Sequence, residues 1–153
     1  MSDSNNTANN NQHGEYTEWL RFSKMDYDCA KYLSDIPYHP KPFEIICYHC
    51  QQAAEKAVKA LIIFTGSRGG MPKVHNVSFL LNQIKDILMS DYQIEIKEDL
   101  YDAADKLTPY GIVPRYPSEM DIDEFDMNES IQNAKKILDF ANKIIELLKS
   151  DNT

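Results

Sequence analysis

The 153-residue sequence has the length of one ordinary domain and carries 24 acidic against 16 basic side chains, a net charge of −8. Its hydrophobic content of 42% and charged content of 26% are typical of a soluble domain, and its five Gly and seven Pro are too few for a turn-rich β-sandwich. The negative charge excludes general binding to polyanions or anionic membranes, so any nucleic-acid contact would need a local basic site.

The N-terminal segment differs in composition from the rest of the chain. Residues 1–14 include five Asn and no Val, Ile, Leu or Phe, and such a segment cannot offset the entropy lost on ordering. We therefore expect a disordered, Asn-rich tail over 1–14 and one globular domain over 15–150. There is no basic-then-hydrophobic leader and no apolar run long enough for a membrane span, which favours a cytoplasmic location without membrane attachment.

Helical periodicity begins at Glu15. Apolar residues three and four positions apart predict a first helix that stops before Pro37. A second helix opens near Pro42, carries one continuous apolar stripe and ends at Gly66.

The second half of the chain predicts three further helices. Asn76 can cap a third helix, and a weaker fourth helix covers 96–107, although Ile94 and Ile96 alternate with charged residues and also fit a short strand. Prolines forbid regular helix over 109–117, and a heptad-like seam over 127–148 predicts a long last helix. The expected fold class is all-α, an up-and-down bundle of four to five helices.

The second predicted helix resembles that of the HEPN-domain proteins of bacteria and archaea, through the run ICYHCQQAAEKAVKAL at 46–61. Further similarities follow in the family's order: His75 opens the third helix, Tyr110 lies in a later loop, and Arg115 and Tyr116 precede Pro117. The resemblance covers about residues 15–149. It implies a helical bundle, usually dimeric, that is encoded beside a small nucleotidyltransferase or fused to one.

The same resemblance implies two kinds of function. A nucleotide-binding role has been proposed for the family, and another branch consists of RNA-cleaving toxins that use an Arg and a His a few residues apart at a dimer cleft. Arg68 and His75, with six residues between them, fit that pattern. Their chemistry suits it, because Arg can hold a phosphate bidentately and His can move protons near neutral pH. The alternative is a solvated loop Arg and a packing or capping His.

Polar side chains on the second helix are candidates for binding. Gln52, Lys56 and Lys59 lie three and four residues apart and form one ridge that could meet phosphate or the acidic face of a partner. An ordinary solvated face is the alternative. In the proline-rich loop, Tyr110, Arg115 and Tyr116 form a second candidate group, suited to stacking a base. Alternatively, Arg115 pins this loop to a helix C-terminus.

Two patterns raise the question of a metal. Cys47 and Cys50 form a C-x-x-C, but both fall on the apolar stripe and lack two further ligands at sensible spacing. The acidic residues over 119–129 lack the Gly and terminal Glu of a calcium loop and suit the N-terminus of the last helix instead. We therefore expect free, structural cysteines and neither a metal nor a cofactor.

Together these patterns predict a non-catalytic, dimerising module that binds a nucleotide or serves as partner of a small nucleotidyltransferase, as in toxin–antitoxin systems. The enzyme alternative is a metal-independent, toxin-like endoribonuclease that acts on RNA through Arg68 and His75. We expect a homodimer, because the long seam of the last helix and the Tyr-rich helices beside it should leave surplus apolar surface.

Overall fold

A computed structural model describes residues 4–37, 39–66, 73–112 and 121–150, with side chains from Glu15 onward. Within these ranges the chain forms helices and no strands, which confirms the all-α class. The elements are α1 (Ser4–Asp35), α2 (Phe43–Thr65), α3 (Val77–Tyr92), α4 (Glu98–Leu107), the 3₁₀ helix η1 (Thr108–Gly111) and α5 (Glu124–Ser150). In this part of the chain, no helix combines the length and the apolar character that crossing a membrane requires.

The first helix differs from its prediction at its start. α1 begins at Ser4, so residues 4–14 continue the helix where composition predicted a disordered tail. Adding residues to an existing helix costs far less than nucleating one, and the packed part of α1, with Tyr16 and Ala30 buried, supplies the nucleus. The helix ends at Asp35, before Pro37, because proline disfavours helical geometry in the residue that precedes it.

The central helix of the bundle is α2. It packs against α1 along its length and also against α3 and α5. Ten of the twelve residues from Gln51 to Ile62 are buried, and four of these ten are alanines that let the neighbouring helices approach closely. The helix ends as predicted at Gly66, whose φ of 69° is left-handed and whose N–H bonds the carbonyls of Ile62 and Ile63.

The remaining helices cover the sides of α2 that α1 does not contact. Asn76 caps α3 as predicted, since its side chain accepts a hydrogen bond from the Phe79 N–H at 3.0 Å. The strand alternative at Ile94 and Ile96 is wrong: both lie in the irregular connection between α3 and α4. Ile96 is buried there, so this apolar residue packs in the core of the bundle without belonging to a strand.

The apolar seam of α5 is buried within the chain. Its buried residues, which run from Met127 to Leu148, pack on α2, α4 and α1. The acidic start of the helix has the capping role that the sequence suggested: the Asp126 N–H donates to Asp123 Oδ1 at 2.9 Å, and the Asp123 N–H donates to Asp126 Oδ2 at 3.1 Å. The seam itself is therefore buried, whereas Phe125 and Leu147 of the same helix are 70% and 46% exposed.

Candidate functional site

A buried carboxylate on α2 organises the first polar cluster, which consists of Gln51, Glu55, Lys59 and His75 and is called the Glu55 cluster below. Glu55 is 3% exposed, and its Oε1 lies 2.9 Å from His75 Nδ1 while its Oε2 lies 3.5 Å from Lys59 Nζ. Gln51 donates from Nε2 to the His75 carbonyl at 2.7 Å and to Glu55 Oε1 at 3.4 Å. The start of α3 is thus fastened to the middle of α2.

The Glu55 cluster fixes the orientation of one exposed imidazole. An ionised carboxylate only accepts hydrogen bonds, so His75 must donate from Nδ1 and keep Nε2 available. The His75 side chain is 73% exposed, whereas the carboxylate that holds it is 4% exposed. A ring that is anchored on one nitrogen and accessible on the other can transfer protons or bind an anion.

A second cluster joins α1 to α2 and consists of Asp26, His49 and Lys56. Asp26 Oδ1 lies 2.9 Å from His49 Nδ1, and Asp26 Oδ2 accepts from Lys56 Nζ at 2.6 Å. The Lys56 ammonium also lies 5.8 Å from the centre of the Phe22 ring. Sequence reasoning missed Asp26, because 30 positions separate it from Lys56 and nothing local marks the pair.

The predicted ridge of Gln52, Lys56 and Lys59 is not a row of free polar groups. Lys59 is buried at 6% exposure, where Glu55 and the Trp19 ring, 5.5 Å away, surround its ammonium. Lys56 is engaged by Asp26, and Gln52 donates to the neighbouring Gln51 side chain at 2.8 Å. Both cations therefore have intramolecular partners, because α2 is enclosed on more sides than its apolar stripe indicated.

Of the loop candidates, the structure describes Tyr110 and His75, whereas Arg68, Arg115 and Tyr116 lie outside the described residues. Tyr110 is half-buried in η1, where burial and the nearby carboxylates raise its pKa to about 12. Next to it, a methyl group added at Gly111 would lie 3.2 Å from Gln51 Nε2. The backbone of η1 and that of His75 therefore meet at the same Gln51 side chain.

Cys47 and Cys50 lie on the apolar side of α2, as predicted, and Cys29 lies on α1. All three are free thiols, and Cys47 and Cys50 are fully buried. Burial raises the pKa of Cys47 to about 11 and raises that of Cys50 as well, so both are uncharged near neutral pH. Among the residues with described side chains, no three His, Cys, Asp or Glu groups are placed to hold a metal ion.

Comparison with known proteins shows the family to which the chain is similar. The family model of the HEPN domain matches residues 16–150. A relative from Methanocaldococcus jannaschii named "Putative toxin MJ1304" is 27% identical over 134 residues, which cover 86% of this chain and 84% of that protein. The solved structure of ST0689, an archaeal HEPN homologue, is similar with a TM-score of 0.63 and 26% identity, covering 85% of this chain and 97% of that one. TT1696 from Thermus thermophilus shares the fold, with a TM-score of 0.66, 24% identity, and coverage of 84% and 96%.

Proposed function

This chain belongs to the HEPN domain family, and on that premise we propose that it is a dimerising module that binds a nucleotide or a small nucleotidyltransferase and has no catalytic role of its own. The observation that carries the proposal is an apolar face on α1. Phe22, Met25 and Tyr32 are 43%, 52% and 70% exposed, and their spacing places them on one side of the helix. Large apolar side chains grouped in this way mark interaction surfaces.

The charges beside this α1 face suit a specific contact. Asp26 lies on the same helix with its carboxylate paired to His49 and Lys56. The exposed Arg21 guanidinium lies 4.8 Å from the centre of the Phe22 ring and has a carboxylate partner on the same helix. The charges that border the face are therefore paired within the chain. In a twofold-symmetric dimer, the same three side chains of each copy would be buried against those of the other. The homodimer is therefore proposed on α1, one of the Tyr-rich helices that led us to expect it, while the seam of α5, the other reason, is buried within the chain.

A matched pair of variants tests this surface. Met25→Glu places a charge in the α1 face, and Met89→Glu makes the same change on α3 at 47% exposure, compared with 52% for Met25. Sedimentation velocity at micromolar concentration should show a dimer for the unmodified chain and for Met89→Glu, and a monomer for Met25→Glu. A monomeric unmodified chain would contradict the proposed homodimer.

The partner part of the proposal is tested by co-expression. A small nucleotidyltransferase encoded beside this chain should co-purify with it in a fixed ratio, and the complex should persist through size-exclusion chromatography. Absence of any complex with such a neighbour, when both proteins are folded and soluble, would leave nucleotide binding as the remaining half of the proposal.

A second candidate function, metal-independent cleavage of RNA, is favoured by the anchored imidazole of His75. The Glu55–His75 hydrogen bond supplies the orientation that a general acid or base needs, and the name of the M. jannaschii relative points in the same direction. RNA incubated with the protein in excess chelator should then be cut, and His75→Ala should abolish the cleavage.

His49→Ala is the matched control for this assay, since its imidazole is also held at Nδ1 by a carboxylate but is only 26% exposed. Loss of cleavage in Arg68→Ala and His75→Ala, with activity retained in His49→Ala, would establish the ribonuclease and refute the non-catalytic module. RNA that stays intact with every variant and with the unmodified chain would exclude the ribonuclease function.

A further inference from the structure

A small cavity between η1 and the first half of α5 is lined entirely by polar side chains. Its volume is about 150 Å³, and the lining residues are Lys106, Tyr110, Asp126, Glu129, Ser130 and Asn133. One water molecule occupies about 30 Å³ in the liquid, so the cavity has room for about five waters or one flat heterocycle. The Glu55 cluster and the α1 face use none of these residues.

Asn133 points to a ligand in this cavity. The residue is 7% exposed, and among the described residues its Nδ2 has no hydrogen-bond partner. A buried amide donor without an acceptor costs about 1–3 kcal/mol, and such groups are rare in folded proteins. The missing partner must be an acceptor atom, which a bare cation cannot supply.

The other lining groups define what else the ligand carries. Glu129 Oε1 is 2.8 Å from Lys106 Nζ, and Asp126 Oδ2 accepts from the Asp123 N–H, yet each carboxylate has further lone pairs available. Two carboxylates against one ammonium leave the lining with a net negative charge. A ligand should therefore present N–H donors to the carboxylates together with an acceptor for Asn133.

We propose that this cavity binds an amino-bearing nucleobase, such as adenine or cytosine, through Asn133 and the carboxylates of Asp126 and Glu129. The exocyclic amino group of such a base has two N–H donors, one for each carboxylate, beside a ring-nitrogen acceptor for Asn133. Uracil has a single N–H on this edge, between two carbonyl oxygens, so one carboxylate would face an acceptor. Tyr110 provides an aromatic side chain for stacking. The phosphates would lie outside the cavity, beside the exposed Lys106 ammonium. The proposal rests on the nucleotide-binding half of the proposed function.

The probes are AMP, CMP and UMP, with binding measured by isothermal titration calorimetry on the full chain. AMP or CMP should bind at least tenfold more tightly than UMP. Asn133→Ala should weaken that binding at least tenfold while circular dichroism shows a folded protein. Asn142→Ala is the matched control on the same helix, because the Asn142 side chain is exposed and bonds the Leu138 carbonyl. It should change the affinity less than twofold.

Results of three kinds would overturn the proposal. The first is that none of the three nucleotides binds at millimolar concentration. The second is equal binding of all three, or AMP binding that Asn133→Ala leaves intact. The third is a thermal shift produced by Mg²⁺ alone and removed by chelator, which would make the cavity a cation site. Dimerisation and co-purification of a nucleotidyltransferase do not involve Asn133, so failure here and failure of the partner module are distinguishable.

Discussion

Removing the Glu55 carboxylate should destabilise the protein severely, because it would leave a buried cation without its counter-ion. Lys59 is 6% exposed, and apart from the face of the Trp19 ring its ammonium lies against Glu55. Breaking a buried ion pair from one side costs about 3–5 kcal/mol. The exposed His75 adds little to this loss, because the free ring is solvated. Glu55→Ala should therefore lower the free energy of unfolding by about 3–5 kcal/mol.

Urea denaturation followed by circular dichroism measures this loss, and for a chain of this size it corresponds to a Tm lowered by roughly 6–20 °C. Asp139→Ala is the control, since its pair with Lys135 is 64% and 62% exposed and should contribute less than about 1 kcal/mol.

A double variant tests whether the unpaired charge is the cause. Glu55→Leu combined with Lys59→Met removes both charges and keeps the volume, so it should be more stable than Glu55→Leu alone. A loss below about 1 kcal/mol in Glu55→Ala, or strictly additive losses in the double variant, would show that the unpaired Lys59 ammonium is not the cause of the destabilisation.

Further predictions concern the cap of α3 and the cysteines. Asn76→Ala should cost about 0.5–2 kcal/mol in urea denaturation, because it removes the acceptor for the Phe79 N–H, while Asn82→Ala on the exposed side of α3 should cost much less. Cys47→Ala and Cys50→Ala should each cost about 1–3 kcal/mol, and neither should change the metal content of the purified protein. With a thiol reagent at about pH 8, Cys29 should react first, since burial and a pKa of about 11 keep Cys47 from forming thiolate until the protein unfolds. Rapid reaction of all three thiols in the folded protein would contradict this.

The helices were predictable because their boundaries are encoded locally. Pro37 stops α1, Gly66 supplies the left-handed residue that ends α2, and Asn76 carries the side chain that caps α3. Each of these signals acts within a few residues of the boundary that it sets. The start of α1 was the exception, since helix propagation from the packed part outweighs the lack of large apolar residues in 4–14.

The polar clusters could not be predicted in the same way. The Glu55–His75 and Asp26–Lys56 contacts join residues 20 and 30 positions apart, and they exist only because helices pack at particular angles. Helical periodicity placed Lys56 and Lys59 on a polar ridge but could not show that α1 lies against it. The cavity beside Tyr110 was partly signalled by the sequence, which selected Tyr110 but gave no reason to select Asn133.

The enclosure of α2 also determines how the molecule moves. A helix with solvent on one side can open locally, but the backbone of α2 from Ala53 to Leu61 cannot separate from α1, α3 and α5 without dismantling the bundle. Its amide hydrogens should therefore exchange with solvent only through global unfolding. The free energy of opening measured from their exchange should equal the free energy of unfolding of the whole protein. Gln51 and Glu55 hold the start of α3 to this rigid centre. The part of the chain whose amide hydrogens exchange most slowly is therefore also the part that positions His75.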